Sequence, residues 1–282
     1  MSASRELAGK VAVITGASRG IGRAIALRLA RAGMDIAIGA KTELATAARP
    51  GTIHDTALAV EELGRRAVAV ATDVRDEAQI ERLIARAAEA LGRIDVVVNN
   101  AGAIQWQRVA DIPVRFVDRM LAINVRAPLL MARAAIPHLR AAGGGHIVNL
   151  CPPLPQPGVA LDAWDGQAAY MVTKYGMSHL TVGLAGELLA DGIAVNGLWP
   201  RTLIDTQATR VFAEWFDTQG TWRSPEIVAE ACYALVTEPF APARTGRLLH
   251  DEQVLADHGM TSFVQFEVPA PVAKHPGSLF GV

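Results

Sequence analysis

Thr15-Gly16-Ala17-Ser18-Arg19-Gly20-Ile21-Gly22 follows the apolar run Val11–Ile14 and leads into Ile21–Ala32, whose apolar residues recur at helical spacing. Glycines in a Gly-x-x-x-Gly-x-Gly pattern at a strand-to-helix turn let backbone approach a ligand closely. The helix amino terminus adds free N–H groups and the positive end of its dipole. This position in the chain predicts a phosphate-binding turn, of the kind that holds a dinucleotide pyrophosphate.

The rest of the chain alternates in the same way. Strands are predicted over Val11–Thr15, Asp35–Ile38, Ala67–Ala71, Asp95–Val98, His146–Leu150 and Ile193–Leu198. Their nearly continuous apolar character suits strands buried on both faces. Helices are predicted over Ile21–Ala32, Thr56–Leu63, Glu77–Leu91, Val114–Leu139 and Ala168–Leu189. The expected fold class is α/β: a single Rossmann-type, doubly wound parallel sheet with helices on both faces. Gly33, Gly64, Gly92 and Gly192 follow helical patterns and suit C-terminal caps. Pro113 and Pro225 mark helix starts, with Ser224 as a candidate cap. Residues 1–282 read as one domain. The stretch 250–282 reads as an extended tail, suited to a subunit contact.

Composition narrows the function. With 51% hydrophobic and 20% charged residues and a net charge of −1, the chain is not disordered and carries no electrostatic footprint for nucleic acid. It contains no run of about 18 uninterrupted apolar residues, and its amino terminus lacks a signal-peptide pattern, so no membrane span and a cytoplasmic location are expected. Cys151 and Cys232 make no disulfide framework. The seven histidines show no metal-ligand spacing, and His250 and His258 read as solvated turn residues, so no metal is expected.

TGASRGIG, Asn99-Asn100-Ala101-Gly102 and Tyr170-x-x-x-Lys174, in this order, resemble the short-chain dehydrogenase/reductase superfamily. The resemblance runs from about Lys10 to about Asp251. Ala40-Lys41-Thr42, Asp73-Val74-Arg75-Asp76, Leu150-Cys151-Pro152-Pro153-Leu154, Lys174-Tyr175-Gly176-Met177-Ser178 and Leu198-Trp199-Pro200 are similar to its hydroxysteroid-dehydrogenase-like branch. In the best-known animal members a sterol-carrier-like domain follows, for which this chain has no room.

The resemblance implies an oxidoreductase that moves a hydride between a nicotinamide cofactor and a small carbonyl or alcohol, working as a dimer or tetramer. It places Gly16, Ser18, Arg19, Gly20, Ile21 and Gly22 at the cofactor phosphates. It places Asp73 and Val74 at the adenine, and Asn100, Ala101 and Gly102 at a ribose. After the sixth strand, Pro200 with Thr202 or Thr206 would meet the carboxamide. The end of the second strand discriminates between cofactors, because NAD enzymes usually carry an acidic residue there, about 20 residues past the glycines. Here it reads Gly39-Ala40-Lys41-Thr42, while Asp35 sits at the strand's start. Lys41 and Arg19 favour the 2′-phosphate of NADP through charge-assisted contacts, with Glu43 as the nearby alternative ribose contact.

Tyr170 and Lys174 lie four apart, so on a helix they share a face with Cβ atoms about 5–6 Å apart. Hydride reduction of a carbonyl needs a proton donor at its oxygen. A neighbouring ammonium is expected to lower the pKa of the Tyr170 phenol. The resemblance assigns Asn124 to a water that links Lys174 to solvent. It also expects a serine at the end of the fifth strand, where the chain has Cys151 followed by Pro152. Cys151 could stand in weakly, a hydroxyl from elsewhere could substitute, or turnover could be slow. The alternative reading is therefore a nucleotide-binding sensor or interaction protein without efficient chemistry. Trp106, Trp164, Trp199 and Trp215 fall where an apolar substrate pocket is expected.

Overall fold

The computed structural model describes residues 6–46, 50–154, 165–210 and 221–270. Its elements in chain order are β1 Val11–Thr15, α1 Gly20–Arg31, β2 Asp35–Ala40, α2 Ile53–Glu62, β3 Ala67–Ala71 and α3 Glu77–Leu91. Then come β4 Val96–Asn99, α4 Val114–Leu121, α5 Ala127–Ala141, β5 Gly145–Asn149, α6 Ala168–Glu187 and β6 Ile193–Trp199. The chain ends with α7 Gln207–Arg210, β7 Trp222–Arg223, α8 Glu226–Thr237, β8 Leu248–His250, α9 Asp251–Asp257 and β9 Glu267–Val268.

Seven strands form one parallel sheet in the order β3-β2-β1-β4-β5-β6-β8. The strand order reverses between β1 and β4, so the loops at their carboxyl ends diverge and open a crevice. Both sheet faces are covered, which explains the uninterrupted apolar runs. Ala12, Ile14, Ile36, Ile38, Val96 and Val98 pack on one side with Ile25, Leu29, Val228 and Leu235 of α1 and α8. Their strand neighbours Val11, Val13, Ala37 and Val97 pack on the other with Ile80, Leu83, Leu130 and Met131 of α3 and α5. Successive residues alternate between the two layers, and both layers are dry.

Several boundaries follow local chemistry. Gly92 closes α3 in a left-handed conformation, as its place after the helix predicts. Thr52 and Asp55 form a reciprocal capping box that starts α2 earlier than its apolar pattern suggests. Asp35 is buried at the start of β2, where Arg65 and Arg66 hold it at 2.9 and 2.8 Å, far from the strand's cofactor-facing end. Ser224 does not cap α8 with its side chain: Pro225 occupies the cap position and no side-chain cap bond forms.

The predicted single helix over Val114–Leu139 is interrupted by a π turn, Ala122–Arg126, between α4 and α5. The whole Val114–Ala141 stretch is long and apolar enough to cross a membrane by length and composition, with mean hydropathy 1.2 in its most apolar window. Five arginines punctuate it, and 44% of that window is buried within the molecule.

Within the region past residue 250, expected as an extended tail, the described residues 251–270 include α9 and β9. Val254, Leu255 and Phe266 are buried in the core, and β9 pairs antiparallel with β7. His258 is an exposed turn residue, as expected, whereas His250 is not a solvated turn residue. The His250 ring is partly buried, and desolvation holds its pKa down. His258 Nδ1 lies 2.8 Å from the Val254 carbonyl, with Nε2 3.5 Å from Glu238.

Candidate active site

A cleft of about 1580 Å³ opens at the carboxyl ends of the strands. At one end is the glycine turn. Thr15 Oγ1 accepts the backbone N–H groups of Asn100 and Ala101, both at 3.1 Å. Asn100 Nδ2 donates to the Thr15 and Gly16 carbonyls at 2.8 and 3.2 Å. Gly16 adopts φ +68°, and a Cβ there would stand 2.9 Å from Ala101 Cα. A Cβ on Gly22 would stand 2.4 Å from Asn100 Nδ2 and 2.6 Å from the Gly16 carbonyl. The turn is thus drawn tight by Asn100 and admits no Cβ at Gly16 or Gly22. Arg19, the residue before α1, is extended and gives no side-chain cap, leaving the helix's first N–H groups without that partner. Gly16, Ser18, Arg19, Gly20 and Ile21 line the cleft, and Gly22 is buried behind them.

The β2 end matches the sequence expectation in part. Lys41 is 59% exposed on the cleft wall, with Nζ 3.8 Å from Asp73 Oδ2. Arg19 does not stand open beside it. Its Nε and Nη2 donate to the Pro50 and Gly51 carbonyls at 3.0 and 2.9 Å, so folding the 50–51 strap over the turn uses this guanidinium. Glu43 lies 3.9 Å from His54. Asp73 also receives a fork from Arg75, which holds its carboxyl down at about 2. Val74 and the Asn100-Ala101-Gly102 segment line the middle of the cleft.

At the other end, α6 presents Tyr170 and Lys174 to the same cavity. Lys174 is 5% exposed, and its Nζ donates to the Leu150 carbonyl at 2.6 Å. Burial lowers this ammonium to about 8. Tyr170 departs from expectation, because burial raises its phenol above the ordinary tyrosine range. The cation expected to oppose that shift is turned toward Leu150 instead.

Asn124 occupies the π turn and is fully buried. Its Oδ1 accepts from Ala103 N at 2.9 Å, and its Nδ2 donates to Ala103 O at 2.8 Å and to Thr173 Oγ1 at 2.9 Å. Thr173 in turn donates to the Tyr170 carbonyl at 2.7 Å. The side chain is therefore spent on fixing the loop after β4 against α6. Asn124→Ala is expected to destabilise the fold by about 2–4 kcal/mol, since it leaves both polar groups of Ala103 buried without that partner. Denaturant unfolding checks this; a loss under about 1 kcal/mol would contradict it.

Cys151, the candidate stand-in for the missing serine, does not line the cleft. It is fully buried, its Sγ lies 3.5 Å from Thr181 Oγ1, and burial raises its thiol pKa. The backbone turns it under α6 because Ser178 Oγ holds the Pro152 carbonyl at 2.6 Å. Thr202 and Thr206, equivalent in sequence, differ in structure. Thr206 Oγ1 is engaged with Thr209, whereas Thr202 Oγ1 is buried without a hydrogen-bond partner in the cleft wall. Pro200 also lines that wall. Trp106 and Trp199 border the cleft; Trp164 and Trp215 lie outside the described residues. Gln167, three residues before Tyr170, and Met171, its immediate neighbour, line the cleft unanticipated; only the i−3 spacing of Gln167 was a readable signal. Among the described residues, no group of three or more His, Cys, Asp or Glu could hold a metal ion.

The residues present fit a nicotinamide dinucleotide, as a glycine cradle closed to a Cβ at Gly16 and Gly22 and an unpartnered buried hydroxyl indicate. Comparisons with known proteins agree. Residues 10–217 match the short chain dehydrogenase family. Hydroxysteroid dehydrogenase-like protein 2 of Bos taurus is 40% identical over 96% of this chain; the chain spans 62% of that relative's length. A crystal structure from Xanthomonas campestris is 41% identical, with a TM-score of 0.86, over 94% of this chain and 95% of its own. Carveol dehydrogenase from Mycobacterium avium, solved with NAD, is 27% identical, with TM-score 0.72 over 87% of this chain and 96% of its own. A metagenomic short-chain oxidoreductase, solved with NADP, is also 27% identical, with TM-score 0.67 over 87% and 98%.

Proposed function

The chain belongs to the short-chain dehydrogenase family, in its hydroxysteroid-dehydrogenase-like branch, and from that premise we propose that it is an NADP-dependent oxidoreductase interconverting an apolar carbonyl compound and its alcohol. The observation that carries this reading is that a single cleft joins the glycine cradle and Lys41 to Tyr170 and Lys174. Bound nicotinamide supplies the hydride. Gly16 to Gly22 and the start of α1 hold the phosphates, and Lys41 meets the 2′-phosphate. Thr202 Oγ1, rather than Thr206 Oγ1, meets the carboxamide, because only Thr202 has a free buried hydroxyl. Tyr170 Oη donates its proton to the substrate oxygen during reduction and takes it back during oxidation. The raised phenol suits the donor role at neutral pH, since it stays protonated. Lys174 keeps positive charge beside the reacting groups.

Lys41→Asp tests the cofactor assignment. It is expected to lower kcat/KM for NADPH about 10- to 100-fold, the size of a lost charge-assisted contact, with little loss for NADH. Equal losses for both cofactors would remove Lys41 as the discriminating contact. The reading includes a homo-oligomer of one-domain subunits, and a monomeric mass in solution would remove that part. A second reading, nucleotide binding without efficient turnover, draws on Pro152 at the serine position and on Cys151 facing away from the cleft. Tight NADPH binding without turnover on any carbonyl tried would favour it.

A further inference from the structure

Lys174 sits in an unusual setting for an ammonium. It is 5% exposed, and no carboxylate among the described residues pairs with it. Among the described residues, its hydrogen bond is to the Leu150 carbonyl. Charge buried this deeply requires further stabilisation. Two other groups are in place: the Cys151 thiol, whose thiolate charge would favour the ammonium, and the indole of Trp199, with Nζ 5.2 Å from the ring centroid. That lies within the roughly 6 Å over which an aromatic face attracts a cation.

The backbone carrying this ring is anchored independently of Lys174. Trp199 ends β6 in register with His250 of β8. Two residues on, Arg201 N donates to Oδ1 of the fully buried Asp251 at 2.9 Å, and Glu252 N donates to the same oxygen at 2.8 Å. The turn after β6 is thereby pinned to the start of α9, which holds the backbone beside Trp199 in place without Lys174.

Resting on the oxidoreductase reading above, we infer that Trp199 is a positioning residue whose indole face holds the Lys174 ammonium against the Leu150 carbonyl at the Tyr170 end of the cleft. Leucine at 199 keeps an apolar wall but offers no negative ring face, so the buried amine gives up its proton more readily. Phenylalanine keeps a weaker face.

The sequence contains four lysines, Lys10, Lys41, Lys174 and Lys274, so the titration is read directly by NMR of protein labelled with 13C at lysine Cε. Lys174→Arg assigns the signal. The native Lys174 midpoint is expected near 8. Trp199→Leu is expected to lower it by about one pH unit, the scale of a desolvated cation–ring contact, and Trp199→Phe by about half as much. The alkaline limb of carbonyl reduction should move in the same direction. A folded Trp199→Leu protein whose Lys174 titrates at or above the native midpoint would overturn the inference. Should Trp199→Leu not fold, Trp199→Phe decides: a lowered midpoint supports the inference and an unchanged one overturns it. The NMR arm needs no turnover. A shifted midpoint in a protein that reduces no carbonyl would uphold the role of Trp199 and sink the oxidoreductase reading; an unshifted midpoint in an active enzyme would do the reverse.

Discussion

Tyr170→Phe is expected to lower carbonyl reduction by about 10²–10⁴-fold, the usual share of a positioned proton donor, while leaving NADPH affinity within a few-fold of native. The separation of effects follows from place. Tyr170 stands at the far end of the cleft from the glycine cradle and contributes nothing to the contacts that shape it. Removing one oxygen keeps the aromatic ring. Lys174→Met, in contrast, would remove the ammonium as well as its bond to Leu150. The pH profile carries the same logic. Lys174 titrates downward from its ordinary range to about 8, so its charge is present at neutral pH and lost as pH rises through that value. Reduction by the native enzyme should therefore decline above about pH 8, where the Tyr170 phenol, raised by burial, is still protonated. Stopped-flow and steady-state oxidation of NADPH, with binding followed by cofactor fluorescence, separate the two quantities. An equal loss in binding and turnover would show that Tyr170 acts through the pocket's shape.

Gly22→Ala is expected to damage the other end. Its new Cβ would meet Asn100 Nδ2, the Gly16 carbonyl and Ala17 Cα at 2.4, 2.6 and 2.9 Å. The carbonyl and Cα belong to the turn's own backbone, so relief requires the cradle to open and Asn100 to release the Thr15 and Gly16 carbonyls. Overpacking of this kind costs about 1–3 kcal/mol. Expressed in affinity, that is roughly 10- to 100-fold weaker NADPH binding. Isothermal titration should find this loss with the native sheet intact by circular dichroism. Affinity within about threefold of native would mean the cradle yields more easily than its contacts imply.

The sheet was legible because strands buried on both faces leave nearly continuous apolar runs, as Val11–Thr15 does and as Ile193–Trp199 does around Asn196. β8 escaped because three residues, Leu248–His250, carry no β-branched side chain and no periodicity. The π turn escaped because its cause is tertiary: Asn124 bonds across to Ala103 and Thr173, and no local pattern encodes that. The chain past 250 misled because its prolines cluster after Val268, beyond the helix and strand that pack on the core. At the site, spacing placed Tyr170 and Lys174 on one face correctly. Where Lys174 then pointed depended on a carbonyl and a ring from two other strands' ends, Leu150 and Trp199. Arg19 and Cys151 show the same limit. Each has the right chemistry at the right position in the chain, but neighbours far along the chain, Pro50 and Thr181, claim its polar atoms.

The most direct test of the central claim is isotope transfer. NADPH carrying deuterium at C4 of the nicotinamide, on each face in turn, is incubated with the native protein and a panel of apolar aldehydes and ketones. The proposed activity predicts deuterium at the carbinol carbon of the product from one face only, faster than from NADH and absent with Tyr170→Phe. Tight binding of NADPH with no deuterium in any product of a broad panel would contradict it and leave a nucleotide-binding protein whose chemistry has been lost.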